Sequence, residues 1–173
     1  LARAIVVASG PFNQPNIPAL NGLTEFTGQT LHSSEYRHPA DIRGARVAVI
    51  GAGNSAVQIA YELCHTHEVL LTSREPPRFL QQRPLGKDLH FWFKYSGIDT
   101  LPLGQWFNWK SAAPVLDTGI YRNAFRNGQI QYRPMFESIN VDGLRWRDEQ
   151  KQIDSLVFAT GFKNRPAYLE GLD

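Results

Sequence analysis

The 173-residue chain is 42% hydrophobic and 20% charged, with a formal net charge of +2. This balance excludes intrinsic disorder and collagen-like structure, and the single cysteine excludes a disulfide-stapled mini-fold and fits a reducing, cytoplasmic setting. The basic excess is too small to call for nucleic acid, and no apolar run approaches the ~20 residues of a membrane-spanning helix.

The chain begins at Leu1, and residues 4–8 already read as a strand, which leads us to expect a segment of a longer polypeptide. That strand ends at Ser9-Gly10-Pro11. Residues 11–43 read as an extended connector between two domains, because Pro11, Pro15, Pro18 and Pro39 oppose regular structure and Asn21-Gly22 signals a turn. From Ala45 the pattern changes. Residues 45–50 form a nearly continuous apolar run, as in a parallel strand buried on both faces. Gly51-Ala52-Gly53 follows, and Ala56, Ile59, Ala60, Leu63 and Cys64 then recur at helical spacing. Residues 69–72 predict a second strand, stopped by Pro76-Pro77. Strand, glycine turn, helix and strand occupy about 30 residues, the size of one βαβ unit. Further on, residues 90–95 predict a short aromatic helix, and 97–118 look irregular around Pro102 and Pro114. A helix is expected over 117–126, closed by Asn127-Gly128. Strands are expected at 130–132 and 138–141, with Asp142-Gly143 as a hairpin signal leading into 144–147, and a last strand at 155–159.

The chemistry concentrates in the glycine turn. Gly51-Ala52-Gly53-Asn54-Ser55-Ala56 fits G-x-G-x-x-A. The first glycine allows a tight turn, the second lets backbone approach a pyrophosphate, and the small third residue lets the helix pack close to the strand. The helix N-terminus then offers unpaired N–H groups and a positive dipole end to the phosphates. The competing reading, a plain structural turn, explains the glycines but not their placement between a buried-type strand and an amphipathic helix. The end of the second strand selects the nucleotide. An acid there would hold ribose hydroxyls; this chain has Thr72-Ser73-Arg74 instead. A guanidinium pairs with a 2′-phosphate through two charge-assisted bonds, and the Thr72 and Ser73 hydroxyls can add neutral ones, which favours NADPH. Glu75 could instead swing in to hold an unphosphorylated ribose, and a solvated surface arginine is the competing reading of Arg74.

The fingerprint with Asn-Ser inside resembles that of the flavin-containing monooxygenases, the class B flavoprotein monooxygenases. Phe26-Thr27-Gly28-Gln29-Thr30-Leu31-His32-Ser33-Ser34-Glu35-Tyr36 is similar to that family's signature F-x-G-x-x-x-H-x-x-x-Y. Phe158-Ala159-Thr160-Gly161-Phe162 resembles the motif that returns to the FAD domain, and Val7-Ala8-Ser9-Gly10 its earlier counterpart. Four motifs in the family's order cover essentially the whole chain. Family members carry a first glycine fingerprint for FAD, and no second one occurs in this sequence. The resemblance therefore implies an α/β fold: a Rossmann-like, three-layer NADPH-binding domain over 44–157 with a parallel sheet and a small β-hairpin or meander. Residues 1–43 and 158–173 would be connectors to an FAD domain of the same polypeptide. It also implies hydride transfer from NADPH to FAD, and oxygenation of a small soft nucleophile, an amine or sulfide, through a flavin C4a-hydroperoxide. Tyr36 stands where Baeyer–Villiger members tend to have tryptophan, which leans toward heteroatom oxygenation. The cofactors carry the bond-making, so no catalytic acid or base is assigned here. A homodimer stays open.

Other residues admit plainer readings. The resemblance makes His32 structural or an organiser of the domain junction. Cys64-His65-Thr66-His67 suggests a metal site, but Cys64 belongs to the helix's apolar face and no second ligand cluster appears, so helix-end packing is favoured and no metal ligands are assigned. Phe91, Trp92, Phe93, Tyr95, Trp106, Phe107 and Trp109 read as core, a substrate entrance, or a face toward the FAD domain. Arg78, Arg83 and Lys87 read as phosphate contacts or as a solvated basic surface. The rival functions are a pyridine-nucleotide flavoprotein reductase, disfavoured because the C-x-x-C that one class needs is absent, and a non-catalytic nucleotide-binding module.

Overall fold

A computed structural model describes residues 6, 8, 10, 12–83, 86–96 and 114–163. In chain order they form β1 (Gln14–Pro15), β2 (Gln29–His32), β3 (Arg46–Ile50), α1 (Asn54–Leu63), β4 (Glu68–Ser73) and β5 (Phe79–Gln81). Then come α2 (Leu89–Ser96), β6 (Val115–Asp117), α3 (Ile120–Arg126) and β7 (Ile130–Pro134). The last strands are β8 (Ser138–Asn140), β9 (Gly143–Arg145), β10 (Gln150–Gln152), β11 (Ser155–Phe158) and β12 (Phe162–Lys163).

The apolar run at 46–50 becomes the centre of a five-stranded parallel sheet in the order β2-β11-β3-β4-β7. A parallel strand covered on both faces has no polar side to show, which is why its sequence does not alternate. Its residues divide by parity. Val47 and Val49 join Val69, Leu71, Val157 and Ile130 in a cluster with Ala56, Val57, Ile59, Ala60 and Leu63 of α1. Ala48 and Ile50 join Leu70, Leu156 and Phe158 on the other face, against Phe136, Ile139, Leu144, Trp146 and Ile153. The latter residues come from and around an antiparallel meander, β8-β9-β10. The result is three layers: helices, parallel sheet, meander. Each fully buried Val, Leu or Ile contributes about 1.5–3 kcal/mol of transfer free energy.

Helix α1 follows from its sequence spacing, with Ala56, Val57, Ile59, Ala60 and Leu63 buried on one side. It ends at Cys64, and the His67 N–H, donating to the Leu63 carbonyl, turns the chain into β4. Helix α3 starts later than position 117. Asp117 closes β6, is almost fully buried, and its carboxylate accepts from the N–H groups of Gly119, Tyr121 and Arg122. This satisfies the donors that open a helix.

Several expectations change in detail. Residues 29–32, expected inside an irregular connector, are β2, an edge strand paired with β11. Tertiary pairing makes this strand, since the open edge of β11 supplies partners that local propensity does not signal. The hairpin loop is Val141-Asp142, not Asp142-Gly143. Gly143 already pairs with Asn140 and Gln152, and a Cβ there would meet the Lys151 carbonyl at 2.0 Å. Its glycine is required by close strand approach rather than by the turn. Residues 115–117, expected to be irregular, pair with β5 as a short parallel ribbon. On α2, Phe91 and Tyr95 are exposed and stacked on one another at 6.0 Å, so they are not core. Residues 97–113, with Trp106, Phe107 and Trp109, lie outside the described residues, as does most of the strand expected over 4–8.

Candidate nucleotide-binding site

Strands β3 and β11 are adjacent and parallel, yet between them the chain runs out through β4 to β7 and back through the meander. The strand order therefore reverses at their C-terminal ends, the position where open α/β sheets leave a crevice for ligands. The glycine turn sits there. Gly51 donates its N–H to the Thr72 carbonyl at 2.9 Å, and Ala159, just past β11, donates to the Ile50 carbonyl at 2.9 Å.

The two glycines have different environments. Gly51 has φ 147°, and a Cβ on it would lie 2.4 Å from the Ala159 carbonyl oxygen and 3.2 Å from the Ala56 methyl. Gly53 has φ −84°, which any residue can adopt, and a Cβ on it would meet nothing within 4 Å. Gly53 is also the N-cap of α1 and brings no side-chain oxygen to its first turn. The opening N–H groups of an α-helix have no intrahelical acceptor, so an uncapped N-terminus facing open space suits an anion. Ala56 is fully buried against the sheet, as the small third position demands, whereas Asn54 and Ser55 are exposed and Ala52 is partly exposed.

The end of β4 lies beside this turn, since Ile50 pairs with Thr72. Thr72 is buried and its hydroxyl donates to the Pro134 carbonyl at 3.0 Å. Ser73 is also buried. Its hydroxyl donates to the Glu75 carbonyl at 2.6 Å, and its carbonyl accepts from the Tyr132 phenol at 3.4 Å. Ser73 thus shapes the turn that presents Arg74, which is exposed. Tyr132 gives no sequence signal for this role, being 59 residues away. Glu75 pairs with Arg78 at 3.2 Å. Arg83 and Lys87 are exposed, and Lys87 lies over the Phe91 ring at 5.5 Å.

His32 is only 1% exposed. Its Nε2 is 2.9 Å from the Gly161 carbonyl, which can only accept, and its Nδ1 takes the Ser34 N–H at 3.2 Å. These partners fix the tautomer protonated at Nε2. Gly161 also accepts from the Asn16 N–H, next to the β1–β12 ribbon, and the His32 ring packs edge-on against Phe162. His32 is therefore a structural bolt joining the end of β2 to the chain beyond β11. Tyr36, four residues on, packs among the helix-side core. Burial raises its phenol pKa, and the Glu62 carboxylate adds to the effect. Cys64 donates its thiol to the Tyr61 carbonyl at 3.1 Å, and burial pushes the thiol up. Among the described residues no three His, Cys, Asp or Glu side chains gather to hold a metal, and no helix is long and apolar enough to cross a membrane.

The sequence model described as "Flavin-binding monooxygenase-like" matches residues 1–86, which hold both the F-x-G-x-x-x-H-x-x-x-Y run and the glycine turn. The chain belongs to this flavin-binding monooxygenase-like family. Its relatives include an uncharacterized CzcO-like oxidoreductase of Geobacillus kaustophilus, 31% identical over 98% of this chain and 50% of that protein. Another is the indole-3-pyruvate monooxygenase YUCCA4 of Oryza sativa subsp. japonica, 28% identical over 96% and 45%. Among solved structures, a flavin-containing monooxygenase from Stenotrophomonas maltophilia superposes with a TM-score of 0.69 at 28% identity, covering 92% of this chain and 42% of that one. The chain thus spans about half the length of the curated relatives it matches.

Proposed function

We propose that this chain is the NADPH-binding part of a flavin-dependent monooxygenase. The observation that carries the reading is the open, uncapped N-terminus of α1 at Gly53, placed where the order of the parallel sheet reverses. A family described as flavin-binding supplies the flavin side of the pairing. On this reading the residues present fit a dinucleotide. Gly51 would hold the turn beside Ala52, Gly53 would leave room for the pyrophosphate, and the opening N–H groups of α1, at Asn54, Ser55 and Ala56, would donate to it. Ser73 shapes the adenosine end, and Arg74 pairs with the 2′-phosphate.

When bound, NADPH supplies hydride and FAD accepts it and activates oxygen for transfer to an amine or sulfide. The chain's own contribution is binding, orientation and exclusion of water. FAD would be held by a part of the polypeptide outside residues 44–157, reached through 1–43 and 158–173. The His32–Gly161 hydrogen bond would tie these two connecting segments together. The unpaired Cys64 thiol suits a cytoplasmic location.

The test is nucleotide selectivity in the intact protein. Losing a charge-assisted hydrogen bond costs on the order of 1.5–3 kcal/mol. Arg74→Ala should therefore raise the NADPH Michaelis constant about tenfold or more and barely change that for NADH. Equal weakening of both cofactors would remove Arg74 from the phosphate site.

A further inference from the structure

We propose that Arg78 tunes the nucleotide preference of this site by buckling Glu75 away from it, leaving Arg74 to face the 2′-phosphate. The proposal rests on the reading of the glycine turn as a dinucleotide site, and assigns the balance between the phosphorylated and unphosphorylated nucleotide to a residue outside the fingerprint.

The segment runs Ser73-Arg74-Glu75-Pro76-Pro77-Arg78, and Glu75 is the sole carboxylate between positions 69 and 87. An unrestrained carboxylate next to Arg74 would act in two ways. It would compete with a 2′-phosphate for the guanidinium and repel the phosphate itself. It would also be free to accept hydrogen bonds from ribose hydroxyls, which favours the unphosphorylated nucleotide. The geometry restrains it. The Glu75 carbonyl is pinned by the Ser73 hydroxyl at 2.6 Å, while the Arg78 carbonyl is pinned by the Val115 N–H of β6 at 2.7 Å. Between the two pins stand two prolines with fixed φ, and a residue before proline is confined to extended conformations. The ends of the turn are thus set by hydrogen bonds and its middle by ring closure. Across it, Arg78 Nη2 meets Glu75 Oε2 at 3.2 Å. Both side chains are more than half exposed, at 65% and 56%. Such a pair is weak and screened by salt, so the device biases the choice of nucleotide rather than imposing it.

The test measures NADP⁺ and NAD⁺ dissociation constants of the intact protein by calorimetric titration, for wild type, Arg78→Ala, Arg78→Lys, Glu75→Gln and the double variant Arg78→Ala/Glu75→Gln. Arg78→Ala should weaken NADP⁺ about fivefold, the upper end for an exposed charge pair, without weakening NAD⁺. Arg78→Lys should keep the wild-type ratio. In the Glu75→Gln background Arg78→Ala should change neither constant, because there is no carboxylate left to hold. If Arg78→Ala weakens NADP⁺ as much in that background, Arg78 touches the phosphate itself and the buckle is wrong. Parallel loss of both nucleotides in Arg78→Ala alone would mean a collapsed turn and would equally overturn it. A wild-type protein that binds neither nucleotide would instead remove the dinucleotide reading beneath the proposal.

Discussion

The contrast between Gly51 and Gly53 gives the sharpest test of the site. Gly51→Val places a Cβ 2.4 Å from a backbone oxygen of Ala159 and forces a branched residue to φ 147°. A carbonyl in a sheet connection cannot move as a flexible side chain can. Strain and overpacking together amount to about 3–5 kcal/mol. For a chain of this length that is a fall of about 6–20 °C in melting temperature. Gly53→Val meets nothing within 4 Å and keeps an ordinary φ, so it should melt within about 1 kcal/mol of wild type. Ligand reverses the ranking of concern. NADPH at a hundred times its dissociation constant should stabilise wild type by about 2.7 kcal/mol. Gly53→Val should gain nothing, because the isopropyl group would fill the space proposed for the pyrophosphate. Thermal melts of the three proteins with and without NADPH measure all of this. An undiminished ligand shift in Gly53→Val would refute the placement of the pyrophosphate, and a wild-type melting point in Gly51→Val would refute the account of the turn.

Other expectations follow from the same contacts. The Arg46 guanidinium, with the Arg46 and Ala45 N–H groups, holds the Asp154 carboxyl down at about 2 against an ordinary value of 3.8. That stabilisation is complete above the ordinary value and disappears as pH falls through about 2. The side chain is a quarter exposed, so Asp154→Asn should cost about 1–2 kcal/mol at neutral pH and flatten acid unfolding in that window, read by chemical denaturation across pH. His32→Ala should lose about 2–4 kcal/mol in urea unfolding, since it empties a buried site and removes one of the two donors to the Gly161 carbonyl, leaving the Asn16 N–H. Asp117→Ala should cost about 1–2 kcal/mol and loosen amide exchange at Gly119, Tyr121 and Arg122, whose N–H groups it caps.

Much of the site was legible in the sequence because its information is local. A buried-type strand, a glycine turn, an amphipathic helix and a second strand fall within 46–73, and each is specified by spacing and residue type over a few positions. The amphipathic helix after the glycine turn, the parallel character of the buried strand and the arginine after β4 needed nothing distant. What tertiary structure decided involves partners far apart in the chain. The edge strand β2 exists because β11 offers it hydrogen bonds, and two residues as distant as Gly51 and Ala159 become neighbours only when β11 inserts between β2 and β3. That insertion creates the reversal of strand order on which the site depends. Gly143 looked like a turn residue and is instead a strand position that must admit the Lys151 carbonyl. The three-residue strands β5 and β6 carry too few positions for any periodicity. Local pattern fixes how each segment folds; which segments lie side by side is set by backbone pairing and shared burial, and these are properties of the assembled sheet.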